Sequence, residues 1–362
     1  MLTHDELCEL ARPAGGSSDK RPDFETVNHE GWLYYNDERP HLSRTLRALA
    51  SRGEILYRWP VPDRAKHPHR RLTHRLSPDA GSRVTLSSNS TPDLLGHVSG
   101  ADNIVLAQIS DSHLRVGGDD GASARALEAV VRSIGALDPA PQALLVSGDL
   151  ADSGSAREYE RALELLSPLS MPIHVLAGNH DDRDALRDYF ATPTANGSAS
   201  GFLQYATRIG PLRMVVCDTM LPGQNAGSFG PDRLGWLDAE LASDRKTPTL
   251  VAMHHPPLFF GIRVLDENCL PAADRRTLGE VVGRNPQIVR IVAGHIHRTI
   301  VGALGGCSVY VCPSAYLQLH LTSSFSDRVV WVREPPGFAL HVAVDGVVTS
   351  HSLPVGDYEL VG

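Results

Sequence analysis

Ile104-Val105-Leu106-Ala107-Gln108-Ile109-Ser110-Asp111-Ser112-His113 is the stretch on which the reading of this chain turns. A short, nearly continuous apolar run leads straight into a polar D-x-H triplet. A run this short without polar alternation suits a strand covered on both faces. The same punctuation recurs four times downstream. ALLV at 143–146 leads to Gly148-Asp149, and IHVL at 173–176 to Gly178-Asn179-His180-Asp181. Residues 249–253 lead to His254-His255-Pro256, and residues 288–293 to Gly294-His295-Ile296-His297. Residues 122–137 and 155–167 carry apolar residues at helical spacing, and Asp152-Ser153-Gly154 offers a cap for the second. Residues 214–217 form a further buried strand, and Val344-Asp345-Gly346-Val347 is a hairpin signal. The alternation of strand and helix predicts an α/β fold.

Ligands of open α/β sheets bind beyond the carboxyl ends of the strands, where all five polar motifs fall. Asp111 and His113 are one residue apart on an extended segment and so point the same way. The two carboxylate oxygens of Asp149 allow it to bridge two ions. Asn179 offers a neutral oxygen, and His254, His295 and His297 offer imidazoles. Taken singly, each has a plain structural reading, as a helix N-cap, a turn former or a satisfied core histidine. Turn chemistry, however, gives no reason for histidines at 113, 180, 254, 295 and 297 after successive strands. The ensemble predicts two metal ions, and a paired centre is a standard device for splitting phosphate esters. Mixed oxygen and nitrogen donors without thiolate suit Mn, Fe, Zn or Co, whereas so many imidazoles argue against magnesium alone.

On these residues the chain from about 104 to 350 resembles the calcineurin-like metallophosphoesterases, whose pattern is D-x-H, G-D, G-N-H-[DE], H-x-P and G-H-x-H. The resemblance implies a four-layer αββα sandwich and two divalent or trivalent metal ions, Mn, Fe or Zn. Asp111, His113, Asp149 and His297 would hold one ion. Asp149 would bridge to a second, held also by Asn179, His254 and His295, and the H-x-P pattern selects His254 over His255. Within the family, Gln108-Ile109-Ser110-Asp111, the runs 254–258 and 294–298, and Cys312-Pro313-Ser314 resemble the class III cyclic-nucleotide phosphodiesterases and related bacterial glycerophosphodiesterases. The expected activity is hydrolysis of a small phosphodiester such as 3′,5′-cyclic AMP by metal-activated hydroxide. Glycerophosphodiester or phosphomonoester hydrolysis is the alternative within enzymes, and a DNA-binding regulator with a phosphoesterase-like sensor domain the alternative outside them. His180 is expected to stabilise phosphoryl oxygens or protonate the leaving alkoxide, with Asp181 orienting its ring. Arg298, His255 and Asn268 are expected near the substrate. So are Phe259 and Phe260, on a segment at 256–285 expected to wall the pocket.

The chain has 362 residues, 42% apolar and 21% charged, enough for a sizeable core, and a formal charge of −8 argues against devotion to nucleic acid. Five scattered cysteines without a C-x-x-C pair suit packed thiols in a reducing compartment. No leader-like start and no long apolar run are present, so a cytoplasmic chain without membrane contact is expected. The charge is uneven: residues 41–86 hold ten Lys or Arg against three Asp or Glu, a balance of +7 that leaves −15 for the rest. This asymmetry predicts a basic module over 1–100, with a linker-like run at 87–93, followed by a catalytic domain over 101–362. Residues 41–55 are helix-like, with Leu42, Leu46 and Leu49 on one face. With the basic stretch closing at 72–78, they resemble the recognition helix and wing of a winged-helix domain. Nucleic-acid binding through 41–86 is one expectation, and packing on the acidic domain or on a second subunit of a homo-oligomer is the other.

Overall fold

The computed structural model describes residues 24–27, 32–35, 103–118, 121–190, 201–321, 329–359 and 361, in a chain that divides into two units, Met1–Leu86 and Ser87–Gly362. In the first unit, β1 (Phe24–Val27) and β2 (Trp32–Tyr35) pair antiparallel, with Phe24 opposite Tyr35 and Val27 opposite Trp32. The helix-like stretch at 41–55, the wing-like stretch at 72–78 and the linker at 87–93 lie outside the described residues.

In the second unit the side-chain alternation of β3 (Ile104–Ile109) decides the layering. Val105, Ala107 and Ile109 face an apolar cluster shared with helices, while Ile104 and Leu106 face a cluster shared with another sheet. The helices on the first side are α1 (Ala122–Gly135), α2 (Ala156–Leu166) and α3 (Arg183–Tyr189). Flanking β3 are β4 (Ala143–Val146) and then β5 (Ile173–Val175), both parallel to it. The cap of α2 is Ser155 and not the preceding Asp-Ser-Gly run, because the Glu158 carboxylate returns to accept from the Ser155 backbone N–H at 3.0 Å.

The second sheet is built from β6 (Tyr205–Ile209), β7 (Leu212–Val216), β8 (Thr249–Ala252), β9 (Ile288–Ala293), β10 (Ile300–Leu304) and β11 (Cys307–Val311). Its order is β10-β11-β9-β8-β7-β6, with β7, β8, β9 and β11 mutually parallel. Met214, Val216, Leu250, Ala252 and Val292 point at the first sheet. Val215, Val251, Ile291 and Ala293 point the other way, onto α4 (Gly230–Ser243) and α6 (Ala272–Gly283), with the short α5 (Arg263–Glu267) between them in sequence. The layers run helix, sheet, sheet, helix: the αββα sandwich. A short ribbon, β12 (Gln318–Leu319) with β13 (Trp331–Val332), precedes the hairpin of β14 (Gly337–Val344) and β15 (Val347–Pro354). Asp345 and Gly346 turn that hairpin with positive φ, as the Asp-Gly signal requires. β14 lies antiparallel to β3 and completes the order β15-β14-β3-β4-β5. Among the described residues no helix is long and apolar enough to cross a membrane, and Cys217, Cys269, Cys307 and Cys312 are buried free thiols.

One polar network bridges the sheets beneath the strand ends. Gln108, fully buried, donates to Ser147 Oγ (2.7 Å) and to the Ala293 carbonyl (3.1 Å). Its Oε1 accepts from His341 Nε2 at 2.8 Å, and His341 Nδ1 lies 2.8 Å from Ser350 Oγ. Burial, and then the charge of Arg290, pushes His341 down to about 3, so the folded protein holds it neutral. The unfolded chain protonates it below its ordinary value near 6.5, so the stability this residue gives is present above that pH and lost as pH falls toward 3. The difference in unfolding free energy between wild type and His341→Gln should therefore shrink on going from pH 6 to pH 5, by up to about 1.4 kcal/mol. Urea unfolding at the two pH values measures it, and a pH-independent difference would exclude a neutral buried imidazole.

Candidate metal centre

β3, β4, β5, β8 and β9 each end one to four residues before a polar motif, so both sheets deliver their loops to one cleft. Asp111, Asp149 and Asn179 come from the first sheet, and His254, His295 and His297 from the second. The backbone there is unusual: among the described residues, the non-glycine positions with φ between 40° and 70° are Asp111, His113, Asp149, His295 and His297, plus Asp345 in the hairpin. Left-handed backbone of this kind costs of order 1–3 kcal/mol per residue and persists only where its surroundings over-determine it. Here the surroundings do so. Asp111 N–H donates to the Gly148 carbonyl and His113 N–H to that of Asp149, both at 3.0 Å. The Ser314 hydroxyl donates to the Asp111 carbonyl at 2.7 Å.

The glycines of the motifs make room for these side chains. A Cβ on Gly178 would lie 2.1 Å from Asp149 Oδ1, and one on Gly148 would lie 2.3 Å from His254 Nδ1. On Gly294 it would meet the Ser110 Oγ and, at 2.9 Å, Asp111 Oδ2.

Second partners fix the imidazole tautomers. His254 Nδ1–H donates to the Ser147 carbonyl (2.9 Å) and His297 Nδ1–H to that of Leu317 (2.7 Å). His113 Nδ1–H donates to Asp152 Oδ1 (3.2 Å), and His295 Nε2–H to the Asn268 carbonyl (2.8 Å). The remaining nitrogens turn inward as lone pairs, onto other acceptors. His113 Nε2 lies 3.0 Å from His297 Nε2, and His297 Nε2 lies 3.4 Å from Asp111 Oδ1. His254 Nε2 lies 3.3 Å from Asp149 Oδ2 and 3.2 Å from Asn179 Oδ1. Acceptor facing acceptor at such distances is repulsive unless a cation stands between, so the donor set fits metal ions. Three-residue subsets that could hold an ion include Asp111, His113 and His297, and Asp111, Asp149 and His254.

The proton equilibria agree with that electrostatic demand. Burial pushes Asp111 up, and although burial also opposes ionisation of Asp149, the surrounding imidazoles, His254 first and then His113 and His180, together outweigh it and hold that carboxyl well below its usual range. Burial works against a charge on His254, yet Asp149 raises it to about 9, so a proton there replaces a cation. Burial and neighbouring imidazoles push His295 to about 4 and His297 to about 3, which leaves both neutral and ready to ligate without losing a proton.

Several expected contacts fall elsewhere. Asp181 does not orient His180: its oxygens accept from the backbone N–H groups of Gly178, Leu150 and Ala151 and from the Tyr159 hydroxyl. The His180 ring is held instead by the backbone carbonyl of Asp152, 2.7 Å from Nδ1. His255 is fully buried, with Nδ1 on Thr219 Oγ1 (2.8 Å) and Nε2 on the Asn225 carbonyl (3.0 Å), and is not among the cleft-lining residues. Arg298 is spent on the Leu319 carbonyl and the Glu334 carboxylate. Phe259 and Phe260 line a separate groove beside β10. Of the segment at 256–285, Val264, Leu265 and Asn268 do line the cleft, which has about 600 Å³ of open space and is also bounded by His113, Asp149, Asn179, His180, His295 and His297.

Residues 104–299 match the calcineurin-like phosphoesterase family. The chain belongs to that family. Within it, the chain is 26% identical to a probable glycerophosphodiester phosphodiesterase of Arcobacter nitrofigilis, over 71% of this chain and 95% of that protein. It is 31% identical to a cAMP/cGMP dual specificity phosphodiesterase of Mycobacterium tuberculosis, over 71% and 81% respectively. It is 30% identical to a 3′,5′-cyclic adenosine monophosphate phosphodiesterase of Pseudomonas aeruginosa, over 61% and 80%. The fold matches that of a purple acid phosphatase from yellow lupin seeds with a TM-score of 0.53 at 15% identity, covering 72% of this chain and 52% of that one. Family membership and these relatives make the chain a metal-dependent phosphoric ester hydrolase.

Asp152, which the sequence offers only as part of a helix cap, completes a G-D-x-x-D run with Asp149. Its carboxylate accepts from His113 Nδ1 and pairs with Arg115 Nε at 2.9 Å, and these contacts, the His113 hydrogen bond foremost, hold it at about 2. Asp152→Ala should weaken Mn²⁺ binding about 10- to 100-fold, because a ligating histidine loses the acceptor that orients it. Titration calorimetry on metal-stripped protein measures this, and unchanged affinity would mean His113 needs no such support.

Proposed function

We propose that this chain hydrolyses small phosphodiesters, 3′,5′-cyclic AMP among them, at two metal ions bridged by Asp149. The observation that carries the reading is the position of that carboxylate: Asp149 Oδ2 lies 3.6 Å from His113 Nε2 and 3.3 Å from His254 Nε2, facing both halves of the cluster. Asp111, His113 and His297 complete the first ligand set, and Asn179, His254 and His295 the second. Metal ions such as Mn, Fe or Zn held there would supply Lewis acidity toward water and phosphate oxygens.

The chain's own residues do the rest. Because its Nδ1–H is committed to the Asp152 carbonyl, His180 leaves Nε2 as the atom available to the cleft. With the ring as imidazolium, Nε2–H donates to a phosphoryl oxygen, or passes its proton to the departing alkoxide and leaves the neutral imidazole. Its backbone N–H donates to Asp149 Oδ1 at 2.8 Å and ties this acid to the bridging carboxylate. Among the described residues, no Lys or Arg lines the cleft.

Metal-stripped protein reconstituted with Mn²⁺ is expected to cleave cyclic AMP or a glycerophosphodiester in preference to a phosphomonoester. Monoester preference would overturn the proposal. His180→Ala should lower kcat about 10²- to 10⁴-fold while metal content by atomic absorption stays at the wild-type level. Loss of metal in that variant would make His180 structural.

A further inference from the structure

Trp331 is out of keeping with the rest of the cleft. It is 48% exposed and lies at the cleft wall. It stacks obliquely on His297, ring centroids 4.5 Å apart and planes 40° from parallel. His297 in turn reaches Asp111 and His113. The indole therefore stands one imidazole ring away from the ligand cluster.

Backbone bonds lock it there. Trp331 pairs across the β12–β13 ribbon with Leu319, whose N–H donates to the His297 carbonyl at 3.0 Å, and His320 N–H donates to the Val330 carbonyl at 2.8 Å. The wall continues through Val264, Leu265, Ile296, Leu319 and Val329. Among the described residues, no other Phe, Tyr or Trp lines this cleft. The same cleft also presents the amides of Asn225 and Asn268.

The geometry points to Trp331 as a stacking platform for a planar base, which makes a nucleotide diester, and not a glycerophosphodiester, the substrate class of this centre. This rests on the proposed phosphodiesterase reading. A broad aromatic face left open to water beside a phosphate-binding cluster is costly unless a flat apolar group covers it, and every nucleobase has such a face. Glycerol has none. A quaternary ammonium head group would also accept an aromatic face, but among the described residues the only carboxylate lining this cleft is Asp149, engaged with His113, His254 and His180. The uncharged ring is the better complement.

The test compares wild type, Trp331→Ala and Trp331→Phe, each reconstituted with Mn²⁺. For turnover, the ratio of kcat/KM on 3′,5′-cyclic AMP to that on glycerophosphocholine should fall about 5- to 100-fold in Trp331→Ala, and Trp331→Phe should recover most of it. For binding, calorimetry with AMP and with inorganic phosphate should give a matching fall in their affinity ratio. The binding arm tests the platform even if no diester is turned over, which separates failure of this inference from failure of the phosphodiesterase proposal. An equal loss on all ligands would reduce Trp331 to packing on His297. A wild-type preference for glycerophosphocholine that Trp331→Ala abolishes would assign the face to a cationic head group. Either result overturns the inference.

Discussion

Lone pairs and carboxylates forced together at the ends of two sheets are what this structure is built to tolerate. His113 and His297 point nitrogens at one another, and His254 points at Asp149 and Asn179. Among the described residues, no Lys or Arg lines the cleft to relieve them. Carbonyls and the Asp152 carboxylate hold the outer nitrogens and prevent the rings from turning to escape. The free energy of such an arrangement is recovered when cations enter, so the apo protein stores in geometry what the loaded protein regains in coordination.

The frame resists this load because it is stiff in two ways. Each ligand stands within a few residues of a buried strand, and the strands are gripped on both faces by apolar layers. The loops themselves are stitched across the sheet boundary: His295 N–H donates to both oxygens of Asp111, and Ser314 to its carbonyl. Left-handed backbone at five of the ligand positions is the local strain of that stitching.

The strand-then-motif rhythm made the fold and the gathering of the polar motifs at one cleft legible from residue types alone. IVLAQI and ALLV can hardly be anything but covered strands, and their polar endings must then share one edge. Parts of the cleft were not legible, for reasons of distance. Whether Asp181 or Asp152 meets His180 depends on how two loops cross, and no one-dimensional pattern encodes that. The burial of His255 away from the substrate depends on Thr219 and Asn225, thirty or more residues upstream. Trp331 stood in a stretch of no marked pattern, and only the ribbon pairing with Leu319 carries it to the cleft.

The pairing of β3 with β14 has a consequence in time. Gln108 and His341, neighbours across it, are 233 residues apart in the chain. In synthesis from the amino end, β3 emerges early and keeps one edge bare while most of the sandwich is still being made, an opening for wrong partners. The serine that braces Asp111 arrives only shortly before that edge is covered. A nascent chain halted before β14 would possess every metal ligand yet lack the strand that braces the first of them. Ion capture in the cell is thereby tied to how far the ribosome has travelled.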